Sequence, residues 1–469
     1  MHNSIKKELS AMSLSPELRT AIEKAGQSHL LACESDALAE QLAAIDWENL
    51  PRLIADYVLK KPEVSIPDDV QPAPYFPLVP RNAEEEAQKA QACEKGVELL
   101  KAGKVACLTV AGGQGTRLGF DGPKGTYPIG PVSGRTLFEY FASGIARAEE
   151  KYGAPIKWYV MTSALNRQAT EEFFREHNFL GLREDQVFFF TQGTMPAIGY
   201  DGKLLLSSPD SLALSPDGHG GTLLALRKSG ALEQMKKDGV EYISYFQVDN
   251  PLVPVVNPLF IGMHALTGSE MSAIMLAKTN AFEKLGNFCV SNGRLEIIEY
   301  SDLPAELAES TNPDGTLRFI SGSPAIHVLS REFVEKLTAC GRLELPWHRA
   351  DKKIPCINDP KPAEPNGVKL ESFIFDALSL AQKTLVLEGD RAEMFAPTKN
   401  PTGVDSVESC REMLIARDAR RLQKAGVTVE ENAQIEIDPR QVLDDEDAVE
   451  LAKRCGLKVI RSGFKMVIG

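Results

Sequence analysis

The sequence predicts an α/β protein with a central, doubly wound, mainly parallel sheet. Four apolar runs are typical of buried strands, namely Val105–Val110, Trp158–Thr162, Val187–Thr191 and Tyr242–Val248. Segments with helical spacing lie between them, at 136–150, 165–177 and 222–237. Because strands that alternate with helices usually pair in parallel and carry helices on both faces, this order indicates a doubly wound sheet.

The same patterns divide the chain into three regions. At 469 residues it is long enough for two or three domains. Residues 1–100 have helical patterning, interrupted by a proline-rich stretch at 67–80 that is typical of an extended connector. The composition changes after about Val404, where short helix and strand patterns follow. We expect a helical N-terminal region (1–100), a central α/β domain (101–404) and a small C-terminal α/β domain (405–469).

Two local signals define further elements. Thr136 and Glu139 have the spacing of a capping box, which predicts that a helix begins there. The segment Phe288–Tyr300 has alternating runs on either side of Asn292-Gly293, which is the pattern of a β-hairpin. The second strand of this hairpin leads into Glu299.

The bulk composition narrows the possible partners. A formal charge of −13 and a pI near 5.2 argue against nucleic acid and anionic membranes, so a phosphate ligand would need local cations. The first residues, 1–7, contain no apolar leader, and no stretch approaches the roughly 20 apolar residues of a membrane span. Eight cysteines are scattered without Cys-x-x-Cys pairs, as expected for reduced thiols. We therefore expect a cytoplasmic protein.

The most informative segment is the glycine-rich loop at 111–125, directly after the first predicted strand. It contains six glycines, including Gly112, Gly113 and Gly115, together with Arg117 and Lys124. Glycines let successive N–H groups converge on an anion, and the two cations can neutralise polyphosphate. The third glycine of a dinucleotide fingerprint comes one residue late, and Lys124 lacks the context of a Walker loop. The loop indicates a nucleotide site of another type; a ligand-free glycine turn is the alternative.

Polar residues follow two other predicted strands. Asp249 ends the fourth strand, where the carboxyl edge of a parallel sheet collects ligands, and a carboxylate there suits Mg²⁺ held mainly by phosphate oxygens. An Asx turn before Pro251 is the alternative. Gln192, followed by Gly193, ends the third strand, and its amide could pair with a pyrimidine edge or could simply lie in a turn.

A second glycine-rich segment, 218–221, precedes the helix predicted from Thr222. Its N–H groups would lie at a helix N-terminus, which suits an anion or a polar sugar. His219 could donate a hydrogen bond to a sugar hydroxyl, or it could be an exposed turn residue.

These motifs together resemble the eukaryotic-type UDP-sugar pyrophosphorylases, most closely the UDP-N-acetylhexosamine pyrophosphorylases. The loop reads Leu-x-x-x-Gly-Gly-x-Gly-Thr-Arg-Leu-Gly followed by Pro-Lys-Gly. Further matches in the same order cover most of the chain, at 26–31, 192–193, 216–221, 248–250, 278–280, 299–301, 353–355, 365–367 and 397–400. The resemblance implies a Rossmann-like nucleotide-diphospho-sugar transferase fold, with 101–404 as the nucleotidyltransferase domain.

The resemblance also implies a role for each matched residue. Arg117 would hold the departing phosphates, Lys124 the α-phosphate, Lys399 the sugar phosphate, and Asp249 a Mg²⁺ or Mn²⁺ ion. Nucleotide contacts are expected from Gly112, Gly113, Gly115, Thr116, Gln192, Gly193 and Gly220. Sugar contacts are expected from His219, Gly221, Glu299 and Ser323, although Glu299 could equally be a plain surface carboxylate.

The implied reaction joins UTP and N-acetylglucosamine 1-phosphate by direct in-line displacement, giving UDP-N-acetylglucosamine and pyrophosphate. Two departures concern the sugar: His219 and Ser323 stand where the acetamido-sugar enzymes usually carry Asn. Glucose 1-phosphate, or a broad range of sugar 1-phosphates, is therefore the alternative substrate. A non-catalytic UTP or UDP-sugar sensor and an NAD-dependent oxidoreductase are rival functions; the three cations disfavour the first, and the late glycine disfavours the second.

Overall fold

The computed structural model of the protein describes residues 14–32, 35–62 and 66–469. The segment 1–7 and Cys33, which entered the expectations on compartment and thiols, lie outside the described residues.

Helices are distributed along the whole of the described chain. In order they are α1 (Pro16–Lys24), α2 (Asp36–Ala43), α3 (Leu50–Leu53), α4 (Ala83–Lys101), α5 (Leu137–Tyr152), α6 (Arg167–Glu176), α7 (Gly221–Lys228), α8 (Ala231–Lys237), α9 (Pro258–Thr267), α10 (Ala305–Ala308), α11 (Arg331–Leu337), α12 (Arg391–Met394), α13 (Val407–Lys424) and α14 (Asp445–Arg454).

Strands begin after the N-terminal helices. In order they are β1 (Gln71–Pro72), β2 (Val105–Val110), β3 (Trp158–Thr162), β4 (Val187–Thr191), β5 (Thr194–Pro196), β6 (Ile198–Gly199), β7 (Leu206–Ser208), β8 (Ser211–Leu212), β9 (Leu214–Pro216), β10 (Tyr242–Gln247), β11 (Met271–Ala277), β12 (Gly286–Ser291), β13 (Arg294–Ile298), β14 (Ser321–Ser323), β15 (His327–Ser330), β16 (Trp347–Lys352), β17 (Gly367–Ser372), β18 (Thr384–Glu388), β19 (Thr428–Val429), β20 (Gln434–Ile437), β21 (Val459–Ile460) and β22 (Lys465–Ile468).

The central sheet confirms the predicted α/β class. Its order is β1-β12-β14-β11-β15-β10-β2-β3-β4, with β13 paired to β12 and β18 to β11. The four strands predicted from apolar runs form the parallel part, β10-β2-β3-β4, in which Gln247 lies beside Val110. Their carboxyl ends therefore meet along one edge. Beyond β10 the sheet continues through antiparallel pairings, apart from the parallel pair β11 and β18.

Contacts divide the chain into two compact units. Unit 1 comprises the described residues up to 62 together with 193–221 and 345–373, and unit 2 comprises 66–192, 222–344 and 374–469. Unit 1 contains the sheet β16-β17-β6 and a core formed by the N-terminal helices with Val368 and Leu370. The boundaries of these units differ from the predicted domain boundaries at 100 and 404. The three-domain division stays a prediction.

The locally predicted elements in unit 2 have clear physical causes. Thr136 caps α5: its Oγ1 accepts from the N–H of Glu139, whose carboxylate accepts from the N–H of Thr136. The hairpin is formed by β12 and β13, and its turn residues Asn292 and Gly293 have φ of 49° and 71°, as a type I′ turn requires. The proline-rich stretch begins with a turn at 68–69, after which β1 pairs with β12 and Phe76 bridges to Leu387.

One predicted helix is wrong in its continuity. The segment 222–237 forms two helices, α7 and α8, separated at Gly230, which has a φ of 79°. Because a right-handed helix needs negative φ, the helix cannot pass through this residue. The apolar spacing on either side is helical, which is why the pattern alone predicted one element.

The C-terminal segment is tied to α5 and the loop before it by polar contacts. The buried carboxylate of Glu436 accepts from the N–H groups of Val132 and Ser133, at 2.8 and 2.7 Å, and from the Tyr140 hydroxyl at 2.7 Å. The ion pairs along the same boundary are Arg135–Asp438, Arg147–Asp447 and Lys151–Asp444. This part of unit 2 is therefore held by charge as well as by apolar packing.

Candidate nucleotide-binding site

The glycine-rich loop doubles back on itself after β2. The Gly115 N–H donates to the Gly122 carbonyl at 2.9 Å, and the Lys124 N–H donates to the Gly113 carbonyl at 3.0 Å. This closure returns Lys124 to the end of the strand that the loop left. A Cβ at Gly115 would lie 2.7 Å from the Phe120 ring, so the folded loop has no room for a side chain there.

The start of the loop keeps its backbone donors available. None of the described residues accepts a hydrogen bond from the N–H groups of Gly112, Gly113 and Gln114. Asn166 fixes the carbonyls on the same stretch, because its Nδ2 donates to Ala111 at 2.8 Å and to Gly113 at 3.1 Å. The stretch is thus anchored through its carbonyls, while its amides can meet an anion or a base.

Gln192 packs directly against this stretch. A Cβ at Gly112 would lie 2.4 Å from the Gln192 Oε1 atom, so a side chain there would displace the Gln192 amide from this position. The Gln192 side chain is buried, and its backbone N–H donates to the Thr162 carbonyl at 3.0 Å. The two motifs expected to read the base therefore lie together at the ends of β2 and β4.

Lys124 meets Asp249 at the same edge of the sheet. The Lys124 Nζ atom lies 3.5 Å from the Asp249 Oδ2 atom, and both side chains are largely shielded from solvent. Asp249 is delivered by β10, the parallel neighbour of β2. The structure thus brings together the cation and the carboxylate that the sequence placed 125 residues apart.

Lys399 approaches this pair through its backbone. The N–H of Thr398 donates to the Asp249 carbonyl at 2.8 Å, and the N–H of Lys399 donates to the Asp405 carbonyl at 2.7 Å. Burial raises the pKa of the Asp405 carboxyl, while Lys399 lowers it and Asp249 raises it. Asp249, Lys399 and Asp405 are therefore within electrostatic range of one another.

The other residues of the loop are more open. Arg117 lies in a single helical turn, Thr116–Leu118, where Thr116 and Arg117 are exposed. Arg117 forms no ion pair with a described carboxylate, and its exposed guanidinium is available to a ligand.

Glu299 and Ser323 converge on Gly286. Ser323 is opposite Gly286 in the pairing of β14 with β12. A Cβ at Gly286 would lie 3.4 Å from the Glu299 Oε1 atom. The two residues expected to contact the sugar thus flank one backbone position within unit 2.

Unit 1 contains the remaining predicted residues. The Asp217 carboxylate lies between two glycines: a Cβ would come 2.2 Å from one of its oxygens at Gly193, and 2.2 Å from the other at Gly221. The Gly220 N–H donates to the Ser372 carbonyl at 2.9 Å. Asp217 falls inside a motif that the sequence singled out, but nothing in its spacing distinguished it from the neighbouring glycines.

His219 is held in a stack of rings. It stacks on Phe373, with centroids 5.1 Å apart, and His348 stacks against Phe373 at 4.2 Å. Burial, and then the neighbouring His348, lower the pKa of His219 to about 4. The ring is therefore neutral at pH 7, with one nitrogen as a donor and one as an acceptor.

Comparison with known proteins identifies the family. The family model described as UTP–glucose-1-phosphate uridylyltransferase matches residues 55–449. The chain belongs to this family. The resemblance that the sequence motifs carry is thereby confirmed, and with it the nucleotidyltransferase class.

Two relatives within the family are similar over most of their length. A human protein named UDP-N-acetylhexosamine pyrophosphorylase-like protein 1 is 35% identical over 439 residues, covering 88% of this chain and 87% of its own. The UDP-N-acetylglucosamine pyrophosphorylase of Saccharomyces cerevisiae is 36% identical over 355 residues, covering 73% and 74%.

A solved structure supports the family fold. The crystal structure of the UDP-N-acetylglucosamine pyrophosphorylase from Trypanosoma brucei, in complex with an inhibitor, has a TM-score of 0.82 and 23% identity, and it covers 97% of this chain and 99% of its own. Among the described residues of this family member, no helix combines the length and apolar character that crossing a bilayer requires.

Proposed function

We propose that the chain transfers a uridylyl group from UTP to N-acetylglucosamine 1-phosphate, giving UDP-N-acetylglucosamine and pyrophosphate. The family and the name of the yeast relative support this reaction. The observation that carries it is the Lys124–Asp249 pair, which lies beside the glycine-rich loop and the backbone of Lys399 at the carboxyl ends of parallel strands.

The chemistry follows from charge and position. An oxygen of the sugar phosphate forms a bond to the α-phosphorus of UTP, and the bond from that phosphorus to the bridging oxygen breaks, so pyrophosphate leaves with the electron pair. The attacking phosphate is already ionised at pH 7, so no enzyme nucleophile or base is needed. Catalysis then consists of alignment and neutralisation of charge.

The cations on this chain divide that work. Lys124, beside the loop, would neutralise the α-phosphate, and the exposed Arg117 would bind the departing phosphates. Lys399 would hold the sugar phosphate in line. The amides at Gly112 and Gly113, together with the Gln192 side chain packed against them, would read the uracil edge.

A divalent cation fits the donor set. Asp249 presents one carboxylate, which suits Mg²⁺ because this ion keeps most of its shell as phosphate oxygens and water. Mg²⁺, or Mn²⁺ in its place, would neutralise charge on the triphosphate. Lys124 lies 3.5 Å from the same carboxylate, so it would compete with the ion for Asp249.

The sugar preference rests on Glu299, Ser323 and His219. Glu299 can accept from both a hydroxyl and an acetamido N–H, whereas a neutral His219 and a short Ser323 are weaker readers of an acetamido group than amides. We therefore propose N-acetylglucosamine 1-phosphate as the substrate, with discrimination against glucose 1-phosphate of around tenfold, the worth of about one hydrogen bond.

Initial rates of pyrophosphate release from UTP, with each sugar 1-phosphate in turn, test the assignment. We expect turnover of N-acetylglucosamine 1-phosphate and weaker turnover of glucose 1-phosphate. If kcat/KM for glucose 1-phosphate were at least a hundredfold the higher of the two, glucose would be the substrate. If neither sugar phosphate released pyrophosphate, the enzymatic function itself would fail.

Seven free cysteines among the described residues support a reducing compartment, which we propose to be the cytoplasm.

A further inference from the structure

Asn250, next to Asp249, has a side chain that is fully engaged by backbone. It is 4% exposed, its Oδ1 accepts from the Ala396 N–H at 2.9 Å, and its Nδ2 donates to the Met394 carbonyl at 2.7 Å. Both ends of the amide are therefore used inside the protein. Although Asn250 stands beside the proposed metal ligand in sequence, its side chain binds the backbone of residues 394 and 396.

The backbone that Asn250 binds leads directly into Lys399. Residues 395–398 are buried, and the N–H of Thr398 donates to the Asp249 carbonyl. Three hydrogen bonds thus join residues 249–250 to the segment 394–398, which ends one residue before the cation. This places Asp249 and Lys399 in one hydrogen-bonded frame.

The opposite side of the segment is held by α13. The Cys410 thiol donates to the Ala396 carbonyl at 3.0 Å, and Arg420 Nη2 donates to the Ala392 carbonyl at 2.6 Å. Ala396 is therefore fixed at its N–H by Asn250 and at its carbonyl by α13. Without Asn250 the segment would keep its attachment to α13 but lose two of its three hydrogen bonds to the end of β10.

We propose that Asn250 is a positioning residue that sets the location of Lys399 relative to Asp249. The proposal rests on the proposed function, in which Lys399 binds the sugar phosphate that accepts the uridylyl group. Only an amide fits the place, because one end must donate to a carbonyl and the other must accept from an N–H. An aspartate would set an acceptor against the Met394 carbonyl. Alanine would leave the buried Ala396 N–H and the partly buried Met394 carbonyl without these partners.

A double-mutant cycle with Lys399 tests the proposal. We expect Asn250→Ala to lower kcat by roughly tenfold to a hundredfold, since a displacement of about 1 Å in a positioning group has an effect of this size. Lys399→Ala should lower kcat at least as much. The double variant should be no worse than Lys399→Ala within about twofold, because Asn250 would have nothing left to position.

Asn257→Ala is the matched control. Asn257 also lies between β10 and α9, as the N-cap of α9, and its Oδ1 accepts from the N–H of Phe260 at 3.2 Å. Its replacement should leave kcat near that of the wild type, and any loss should multiply with that of Lys399→Ala. Asn250→Asp should resemble Asn250→Ala in activity, and it serves as the second variant should Asn250→Ala not fold.

Two results would overturn the proposal. One is multiplication of the Asn250→Ala and Lys399→Ala losses, which would mean that Asn250 does not act through Lys399. The other is unchanged amide hydrogen exchange in a peptide covering 394–399 of Asn250→Ala, where faster exchange is expected with β2 unaffected. The exchange measurement needs no turnover. If the wild type had no turnover, the proposed function would be refuted. The hydrogen exchange of Asn250→Ala would still show whether Asn250 holds the segment 394–398 in place.

Discussion

Replacing Lys124 tests the electrostatic core of the site. Its Nζ lies 3.5 Å from the Asp249 Oδ2 atom, with side-chain exposures of 16% and 13%. At an effective dielectric constant of about 20, two unit charges at this distance attract by about 5 kcal/mol before any desolvation cost is subtracted. A phosphate oxygen that takes the place of Asp249 would experience an attraction of the same order.

Lys124→Ala should therefore lower kcat by roughly 10²-fold or more, the usual effect of removing one preorganised electrostatic group. The same change should lower the Mg²⁺ concentration needed for half-maximal rate, because Asp249 loses the cation that competes with the metal. Lys104→Ala is the control: Lys104 precedes the opposite end of β2 and pairs with Glu241 at 2.7 Å.

The assay is pyrophosphate release at saturating UTP and sugar 1-phosphate, over a Mg²⁺ titration, for the two variants and the wild type. Lys104→Ala should behave as the wild type. Turnover by Lys124→Ala close to that of the wild type would refute the role of this lysine. A higher Mg²⁺ requirement in Lys124→Ala would contradict the competition between lysine and metal.

Three further outcomes are expected. Asp249→Asn should abolish metal-dependent turnover while leaving the unfolding temperature within a few degrees of the wild type. Asp238→Asn, which changes an exposed carboxylate, should alter neither property. Full activity of the wild type in excess chelator would contradict the role of Asp249 as a metal ligand. His219→Asn combined with Ser323→Asn should raise the kcat/KM ratio of N-acetylglucosamine 1-phosphate to glucose 1-phosphate several-fold, and an unchanged ratio would remove these residues from sugar selection. Burial lowers the pKa of His264 to about 3, so below pH 6.5 the unfolded state binds a proton that the folded state refuses. The free energy of unfolding should fall by about 2 kcal/mol between pH 7 and 5 from this group alone, and a His264→Gln variant, measured by urea unfolding, should show a weaker pH dependence.

Local patterns predicted the parts of the fold that local physics determines. Three of the four strand predictions have the bounds of the structure, and the fourth extends one residue too far, because an apolar run bounded by turns has few other arrangements. The antiparallel extension beyond β10 was not predicted, since strand order depends on which distant segments pack together. Unit 1 shows the same limit: its three segments are separated in sequence by more than a hundred residues, and no periodicity records their association.

For the site, the sequence placed Lys124 in the loop after one predicted strand and Asp249 at the end of another. Their approach to 3.5 Å was not predicted; it follows because the two strands are parallel neighbours whose carboxyl ends coincide. Asn166 and Asn250 were missed as supporting residues. Their importance depends on carbonyls and amides more than fifty residues away, and an asparagine that binds distant backbone has the same local appearance as one in a turn. Asp217 was missed because its carboxylate is distinguished only by its place between Gly193 and Gly221 in the folded protein, which the motif does not show.

The polar boundary between α5 and the C-terminal segment has a consequence for synthesis. Arg135 and Asp438 are 303 residues apart in the sequence, and Tyr140 and Glu436 are 296 residues apart. At translation rates of about 5–20 residues per second, the loop and helix would leave the ribosome roughly 15–60 s before their partners exist. During that interval Arg135, Lys151 and Tyr140 lack these partners, and Arg147 has only Glu150 of the same helix. Completion of the chain, rather than emergence of the sheet, therefore sets the moment at which unit 2 can close.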